Sequence, residues 1–290
     1  METATDAAVF AEAPSGGFRV TWLGHSTTLI EIDGYRVLTD PVWSRRASPS
    51  SLAGPARFHA PPLPLEDLPE LDAITISHDH YDHLDMPTIR ALARTGARFF
   101  VPLGVGAHLE AWGVPDGRIT ELDWWEEATL EDGGLRLAAV PAQHYSGRGL
   151  GGVNATLWAS WVLTGPRHRV YAGCDSGLFP GFAEIGTRYG PFDLTLLPIG
   201  QYGPTWPDIH SLPEEAVDAH RALRGRLLLP VHWGTFNLAF HDWREPGERL
   251  VARAGDTGTP LLLPRPGETL AIPEDFDPAS ASRPWWCEPA

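Results

Sequence analysis

Residues 78–83 read HDHYDH and concentrate imidazole and carboxylate groups in one short segment. These are ligand types that Zn²⁺ takes in proteins, at about 2.0–2.2 Å. His78 and His80 are two residues apart, so on an extended strand end they point to the same side. Asp82 and His83 follow where the chain turns, so they can reach a second metal ion. A lone His-x-His pair would favour a polar surface loop, but the full string after an apolar run favours a metal site.

Three further ligand-type residues end later apolar runs. His144 follows LAAVPAQ, Asp175 follows RVYAGC and His232 follows LLLPV. Each alone has an ordinary structural explanation, but together they repeat one geometry, in which a strand delivers a ligand to the same edge of a sheet. A carboxylate at Asp175 could bridge two cations, which would offset their repulsion at a separation of about 3.5–4 Å.

The elements that hold these residues are predicted from periodicity and turn signals. Two apolar runs around Asp33 and Gly34 predict a hairpin, and the Pro- and Ser-rich residues 44–70 predict a long loop. Apolar runs predict strands, and Met86, Ile89, Leu92 and Ala93 fall at helical spacing. The strands are expected within 71–78, 97–104, 135–144, 157–165, 168–175, 192–200 and 226–234, and the helices within 86–96, 104–114 and 213–224.

Along the chain, a group of strands is followed by alternating strands and helices, and this pattern occurs twice. Such a pattern predicts two sheets packed face to face with helices outside. The expected fold class is therefore α/β, as a four-layer αββα sandwich. We predict a flexible N-terminal tail over residues 1–17, one domain over 18–272 and a C-terminal tail over 273–290.

Composition limits the class of protein. The 290 residues carry a formal net charge of -15, which argues against broad nucleic-acid binding. Two distant cysteines, Cys174 and Cys287, do not make a disulfide framework. The N-terminus does not resemble a secretory signal, and no long apolar stretch predicts a membrane span. Cytoplasmic residence is expected.

The HxHxDH string, followed by His, Asp and His at strand ends, resembles the metallo-β-lactamase superfamily. Residues 22–43 are similar to the opening hairpin of that superfamily. Residues 171–206, together with PEEAVDAH and PVHWGTFNLAFHDWREP, resemble the N-acyl-phosphatidylethanolamine-hydrolysing phospholipases D and their bacterial relatives. The resemblance covers roughly residues 18–260.

The resemblance implies two Zn²⁺ ions, with Mn²⁺ or Fe as other metals that the site could take. It implies that the first ion is held by His78, His80 and His144, the second by Asp82, His83 and His232, and that Asp175 bridges them. It also implies that Asp40 orients ligand imidazoles, that His25 lies near the site without being a ligand, and that His210 lies near the pocket. The subgroup often reads Ala-Gly-Asp at the bridging position, whereas this chain has the additional Cys174. Asp175 is preferred as the bridge, and Cys174 stays an alternative ligand.

The expected function is that of a dinuclear zinc-dependent hydrolase. The leading hypothesis is a phosphodiesterase that acts on a phospholipid-like or other small phosphodiester through a hydroxide between the metals. Asp82 or Asp175 is expected to act as the catalytic proton acceptor. The alternatives are a hydrolase of lactones, carboxylic esters or β-lactam amides, a di-iron redox or sensor protein, and a binding module without turnover. Di-iron members of the superfamily usually carry Glu where this chain has His80, which favours zinc.

The expected partner is a small molecule or a lipid, and the resemblance also allows peripheral membrane contact and a homodimer. The Gly-rich residues 146–154 lack the lysine and the following helix of a phosphate-binding loop. Arg148 within them has two interpretations, a contact with an anionic substrate or an ordinary solvated loop charge.

Overall fold

The computed structural model describes residues 2–130, 133–149 and 151–287. Its first sheet has seven strands in the order β13-β1-β2-β3-β4-β5-β6, and its second has six in the order β12-β11-β10-β9-β8-β7. The strands of the first sheet are β1 Phe18–Gly24, β2 Thr27–Ile32, β3 Tyr35–Thr39, β4 Ala73–Thr75, β5 Arg98–Pro102, β6 Ile119–Leu122 and β13 Thr269–Ala271. The strands of the second are β7 Glu127–Thr129, β8 Arg136–Val140, β9 Ser160–Thr164, β10 Arg169–Ala172, β11 Phe192–Pro198 and β12 Gly225–Val231.

Helices lie along the chain between these strands. The α-helices are α1 Met86–Leu92, α2 Gly106–Ala111, α3 Gly181–Tyr189, α4 Pro213–Ala222 and α5 Glu245–Thr257. Short 3-10 helices cover Ala7–Ala11, Ser15–Gly17, Leu65–Asp67, Asp116–Arg118, Pro278–Ala281 and Trp285–Cys287. No helix within the described residues has the length and the apolar character needed to cross a membrane.

Neighbouring residues of the first sheet enter two different cores, because successive side chains of a strand point to opposite faces. Ile30 and Val37 belong to the large core that also contains Leu194 of the second sheet. Leu29 and Leu38 belong to the core shared with α1 and α2. The inner faces of the two sheets therefore pack together while helices cover the outer faces, which confirms the αββα sandwich.

The predicted hairpin is confirmed at Asp33 and Gly34. Both residues have positive φ, 52° and 97°, as a type I′ turn requires, and the turn pairs Ile32 with Tyr35. Within the predicted loop 44–70, the one regular element is the 3-10 turn Leu65–Asp67.

The sequence interpretation missed the short or polar elements β6, β7, β13, α3 and α5. β7 and β13 have three residues each and lie at sheet edges, so they carry little apolar pattern. In α5, Gly247 and Gly255 interrupt the pattern and only four residues are buried. Tertiary contacts rather than helix propensity stabilise such a helix.

Described residues near both ends of the chain pack on the body. Phe10 is buried among the residues under the first sheet, and the Thr3 N–H donates to the Pro266 carbonyl at 2.8 Å. Near the other end, the rings of Trp285 and Trp286 are buried and lie 5.7 and 4.9 Å from the ring of Trp233. Residues 1 and 288–290 lie outside the described residues. The flexible N-terminal tail over 1–17, the domain bounds at 18 and 272 and the C-terminal tail over 273–290 stay predictions.

Candidate metal centre

The predicted site residues follow strands of both sheets. His78 lies three residues after β4, Asp175 three residues after β10, and His232 directly after β12. Strands β10, β11 and β12 run parallel, so their carboxyl ends meet at one edge. Backbone packing is tight there, because a Cβ added at Gly200 would lie 2.4 Å from the His232 carbonyl oxygen. The glycine after β11 thus allows the His232 backbone to approach.

Three imidazoles form the first half of the cluster. His80 Nδ1 lies 2.8 Å from His78 Nε2 and 3.3 Å from His144 Nε2. The other ring nitrogen of His144 donates to the Ile209 carbonyl at 3.0 Å, and this contact fixes the ring. The structure therefore brings together the three histidines that the resemblance assigns to one ion.

The second half surrounds two carboxylates. Asp82 Oδ2 lies 3.2 Å from His232 Nε2 and 3.4 Å from His83 Nε2. Asp175 Oδ2 lies 3.0 Å from His232 Nε2, 3.2 Å from His83 Nε2 and 3.9 Å from His144 Nε2. Asp175 therefore contacts both halves, as a bridging residue must.

Asp40 lies behind the cluster and holds one of its rings. Its Oδ2 accepts from His83 Nδ1 at 2.8 Å and from Ser77 Oγ at 2.7 Å, and its Oδ1 accepts from the Ser77 N–H at 2.7 Å. A carboxylate that accepts from the far nitrogen of a ring fixes its orientation and raises its basicity. Ser77 was missed at the sequence level, because a lone serine carries no ligand signal.

His25 and His210 lie beside the cluster. His25 Nε2 is 2.9 Å from Asp82 Oδ2, and His210 Nδ1 is 3.9 Å from Asp175 Oδ2. His25 is fully buried, while the His210 side chain keeps some exposure. Both lie near the cluster, and the distances make them neighbours of the carboxylates.

Three of these residues have a left-handed backbone. The φ angles are 37° at Asp40, 51° at His25 and 62° at His232. Non-glycine residues adopt this region at a cost, and such strain persists only where the surroundings enforce it. The site geometry is therefore imposed by the fold rather than by local preference.

In the cluster, Asp175 is ionised and the imidazole of His232 beside it is protonated. Burial would raise the pKa of Asp175, but the His232 and His83 rings hold that pKa well below its usual range. Burial would lower the pKa of His232, but Asp175 beside it raises that pKa to about 9. Without a metal ion, protons on the rings next to Asp175 balance its charge.

The other imidazoles are kept neutral. Burial lowers the pKa of His144 to about 3, and it lowers the pKa of His78 well below the ordinary value. A neutral imidazole is the form that ligates metal. Asp175 Oδ1 is also buried without a hydrogen-bond partner among the described residues, and such an atom calls for a partner. The residues present therefore fit a divalent metal ion, and their nitrogen and oxygen donors suit zinc.

A cavity of about 510 Å³ opens over the cluster. This volume suits a small-molecule site. Its wall includes residues that the sequence interpretation did not assign, because they lie in separate loops: Tyr81, Tyr145, Gln201, Trp206, Ile209 and Leu238.

Cys174 lies behind the cluster. Its buried Sγ is 3.6 Å from His78 Nδ1, whereas the His78 Nε2 atom faces His80. Asp175, and not Cys174, lines the cavity. The geometry thus favours Asp175 as the bridging residue.

A four-layer sandwich with a His and Asp cluster at its sheet edge defines a metal-dependent hydrolase of the metallo-β-lactamase type. Comparison with known proteins gives the same result, since residues 35–233 match the β-lactamase superfamily domain. The chain belongs to this superfamily.

Named relatives and a solved structure extend this result. The chain is 40% identical over 245 residues to the N-acyl-phosphatidylethanolamine-hydrolyzing phospholipase D 1 of Caenorhabditis elegans, a match that spans 81% of this chain and 69% of that protein. It is 55% identical to an uncharacterized protein of Mycobacterium tuberculosis, over 92% of this chain and 71% of that one. The structure of Igni18, a metallo hydrolase from Ignicoccus hospitalis, superposes with a TM-score of 0.66 at 26% identity and covers 90% of this chain and 99% of its own.

Proposed function

We propose that the chain is a dinuclear zinc-dependent phosphodiesterase that acts on a phospholipid-like or other small phosphodiester. The observation that carries this proposal is the junction of two cavities. Trp206 and His210 line both the cavity over the cluster and a second cavity of about 630 Å³. The second cavity is lined largely by apolar side chains, among them Tyr202, Pro204, Pro207, Leu212 and Phe240. An ester at the cluster could therefore place an apolar chain beside it.

The similarity to a phospholipase D supports the same substrate class. In this proposal His78, His80 and His144 hold one ion, Asp82, His83 and His232 hold the other, and Asp175 lies between them. Two bound cations would supply Lewis acidity and lower the pKa of a bound water to about 7. The chain carries a formal net charge of -15, so two bound cations would supply the positive charge that attracts a negative phosphodiester.

The side chains of the chain then have separate tasks. Asp82 is the better placed proton acceptor, because its side chain is 14% exposed whereas that of Asp175 is 3% exposed. His25 contacts Asp82 from the buried side at 2.9 Å and holds its orientation. Tyr145 is half-exposed beside the His80 ring, where it can contact the substrate and exclude water.

Parallel assays test this function. The purified protein, with its metal content measured, is offered bis-p-nitrophenyl phosphate, a lactone and a cephalosporin. We expect the phosphodiester to be preferred, and we expect His80→Ala to remove both metal and activity. His168→Ala is a matched control, because His168 pairs with Asp33 away from the cluster, so it should retain both.

Preferential lactone or cephalosporin turnover would replace the phosphodiesterase proposal by the second hydrolase hypothesis. Elemental analysis of protein made without added metal tests the di-iron alternative, since two irons with a visible absorption band would contradict the zinc assignment. Cytoplasmic residence, a homodimer and peripheral membrane contact stay proposals. Cell fractionation tests the first, and sedimentation with and without phospholipid vesicles tests the other two.

A further inference from the structure

A third cavity, of about 520 Å³, lies on the other side of Tyr81 and contains three arginines, Arg45, Arg46 and Arg148. We call it the arginine cavity. Its wall also includes four serines, at positions 44, 48, 50 and 51, and a single carboxylate, that of Asp85. Three guanidinium groups face one carboxylate, in a chain whose formal net charge is -15. This local excess of positive charge is opposite in sign to the charge of the whole chain.

Arg148 is fixed in place and is not a freely solvated loop charge. Its Nη1 donates to the carbonyls of Asp79 and Leu84, both at 2.7 Å. Its guanidinium lies 4.1 Å from the centre of the Tyr81 ring and 5.2 Å from that of Trp112. Carbonyls and aromatic faces orient the group without an ion pair, and the carboxylates of Asp79 and Asp85 interact with it only at longer range.

The single carboxylate of the cavity, that of Asp85, accepts hydrogen bonds from the neighbouring loop. Asp85 accepts from the Ser44 hydroxyl at 2.7 Å, from the Ser44 N–H at 3.0 Å and from the Trp43 N–H at 3.3 Å. These donors are neutral, so Asp85 anchors the loop to the start of α1 and is in ion-pair contact with none of the cavity arginines. Asp85 keeps its negative charge, so this carboxylate offsets at most one of the three positive charges of the cavity.

The other two arginines keep donors for a ligand. The Arg45 side chain is exposed and has no ion-pair or hydrogen-bond partner among residues 2–130, 133–149 and 151–287. Arg46 donates through Nη1 to the Gly54 carbonyl, while its buried Nε has no partner within the same ranges. Guanidinium and hydroxyl donors together match the oxygens of a phosphate or a carboxylate.

The arginine cavity and the cavity over the cluster share a wall. Tyr81 lines both, and Ala47 lines the cluster cavity while its neighbours Arg46 and Ser48 line the arginine cavity. The two cavities are therefore close enough for one small molecule to contact both.

We propose that the arginine cavity binds an anionic group, a phosphate or a carboxylate, that the substrate carries apart from the ester hydrolysed at the cluster. This inference rests on the proposed function, since it narrows the phosphodiester substrate to one with a second negative group. Because a charge-assisted hydrogen bond contributes about 1.5–3 kcal/mol, the second group should improve binding by about tenfold or more.

Matched esters test the inference on the metal-loaded protein. Each pair consists of a p-nitrophenyl alkyl phosphate and the same ester with a phosphonate at the end of the alkyl arm, with propyl and hexyl arms to vary the reach. We expect the wild-type KM for the phosphonate ester to be about tenfold or more below that for the plain ester in one of the pairs. Arg45→Gln and Arg148→Gln should each remove this preference, and Arg45→Gln should leave kcat and KM for the plain ester within about twofold.

Arg94→Gln is the matched control, because Arg94 is exposed and lies outside the cavity, and it should keep the preference. Arg45→Gln alone decides the matter if Arg148→Gln destabilises the loop. No preference in the wild type, or a preference that survives Arg45→Gln, would overturn the inference. Inorganic sulfate that binds only with Arg45 present, without any preference between the esters, would also overturn it and indicate a free anion.

Calorimetry with the same esters separates this inference from the proposed function. If neither ester is hydrolysed, the phosphodiesterase proposal fails. An Arg45-dependent difference in affinity between the two esters would then still support the anion site, and equal affinities would refute it.

Discussion

The metal cluster and the arginine cavity meet at Tyr81 but are built in different ways. The cluster side chains follow strands of both sheets, and His78, His83, His232 and Asp175 are almost completely buried. The arginine cavity is formed mainly by residues 44–51, a stretch outside the sheets and helices, together with Arg148 from the Gly-rich loop. One region is mostly buried and follows strand ends, and the other consists largely of loop residues.

The two regions meet two different requirements of an enzyme, metal chemistry and substrate recognition. Chemistry on a metal site requires donors held to within fractions of an ångström, which packed strand ends and supporting hydrogen bonds provide. Recognition of a distant part of the substrate tolerates a less rigid frame, and loops supply it. We therefore expect mutations in the cluster to affect metal binding and turnover, and mutations in the arginine cavity to affect KM alone.

The largest effect is expected for Asp175→Asn, which keeps the size of the side chain but removes its charge. Asp175 contacts both halves of the cluster, so kcat/KM should fall by roughly 10³-fold, and elemental analysis should show loss of metal. The exposed Asp67→Asn serves as a control. Full metal content with near-normal turnover in Asp175→Asn would contradict the contrast between the two regions, because metal binding would then depend on groups other than Asp175.

A smaller loss is expected for Asp40→Asn. Asp40 touches His83 but not the cavity, so it acts as a positioning residue. Loss of a carboxylate behind a ligand imidazole typically lowers metal affinity or activity by about 10–100-fold. A zinc titration in competition with a chelator measures this. An unchanged affinity would show that the strained backbone alone orients His83.

The next effect is on stability: the free energy of unfolding of the metal-free protein should depend on pH through groups of the cluster. The pKa of His232 is raised to about 9 by Asp175, above its value of about 6.5 in the unfolded chain. The protonated pair therefore stabilises the fold fully below about pH 6.5, and this contribution is lost as the pH rises towards 9.

The free energy of unfolding of metal-free protein should fall over this range by on the order of 1–3 kcal/mol. Zinc-loaded protein should lack this decrease, because the metal replaces the proton. Urea unfolding at several pH values measures both. A stability that rises with pH in the metal-free protein would contradict the charge assignment. His232→Gln should reduce the decrease without abolishing it, because Asp175 also raises the pKa of His83.

The smallest effect is expected in the loop. Ser44→Ala removes the 2.7 Å hydrogen bond to Asp85 and should lower the free energy of unfolding by about 0.5–1.5 kcal/mol. The metal content should not change, and the preference for the phosphonate ester should weaken. Loss of zinc from Ser44→Ala would show that the two regions are coupled more tightly than the contacts indicate.

Much of the fold and of the site was predictable from local pattern. The apolar runs before His78, Asp175 and His232 are short and β-rich, and the Asp33-Gly34 turn has few alternatives. The missed elements are those in which pattern is weak: three-residue edge strands, and α5, where glycines interrupt the apolar face. Phe10 and the paired tryptophans 285 and 286 gave no local sign of where they would pack.

The sequence by itself therefore determined which residues have ligand chemistry and that strands would deliver them to one edge, because residue type and periodicity are local properties of the chain. Only the tertiary structure decided that Asp40 holds His83, that Asp175 contacts both halves of the cluster, and that Arg45 and Arg148 share a cavity. These contacts join residues far apart in the chain, and they depend on how sheets and loops pack.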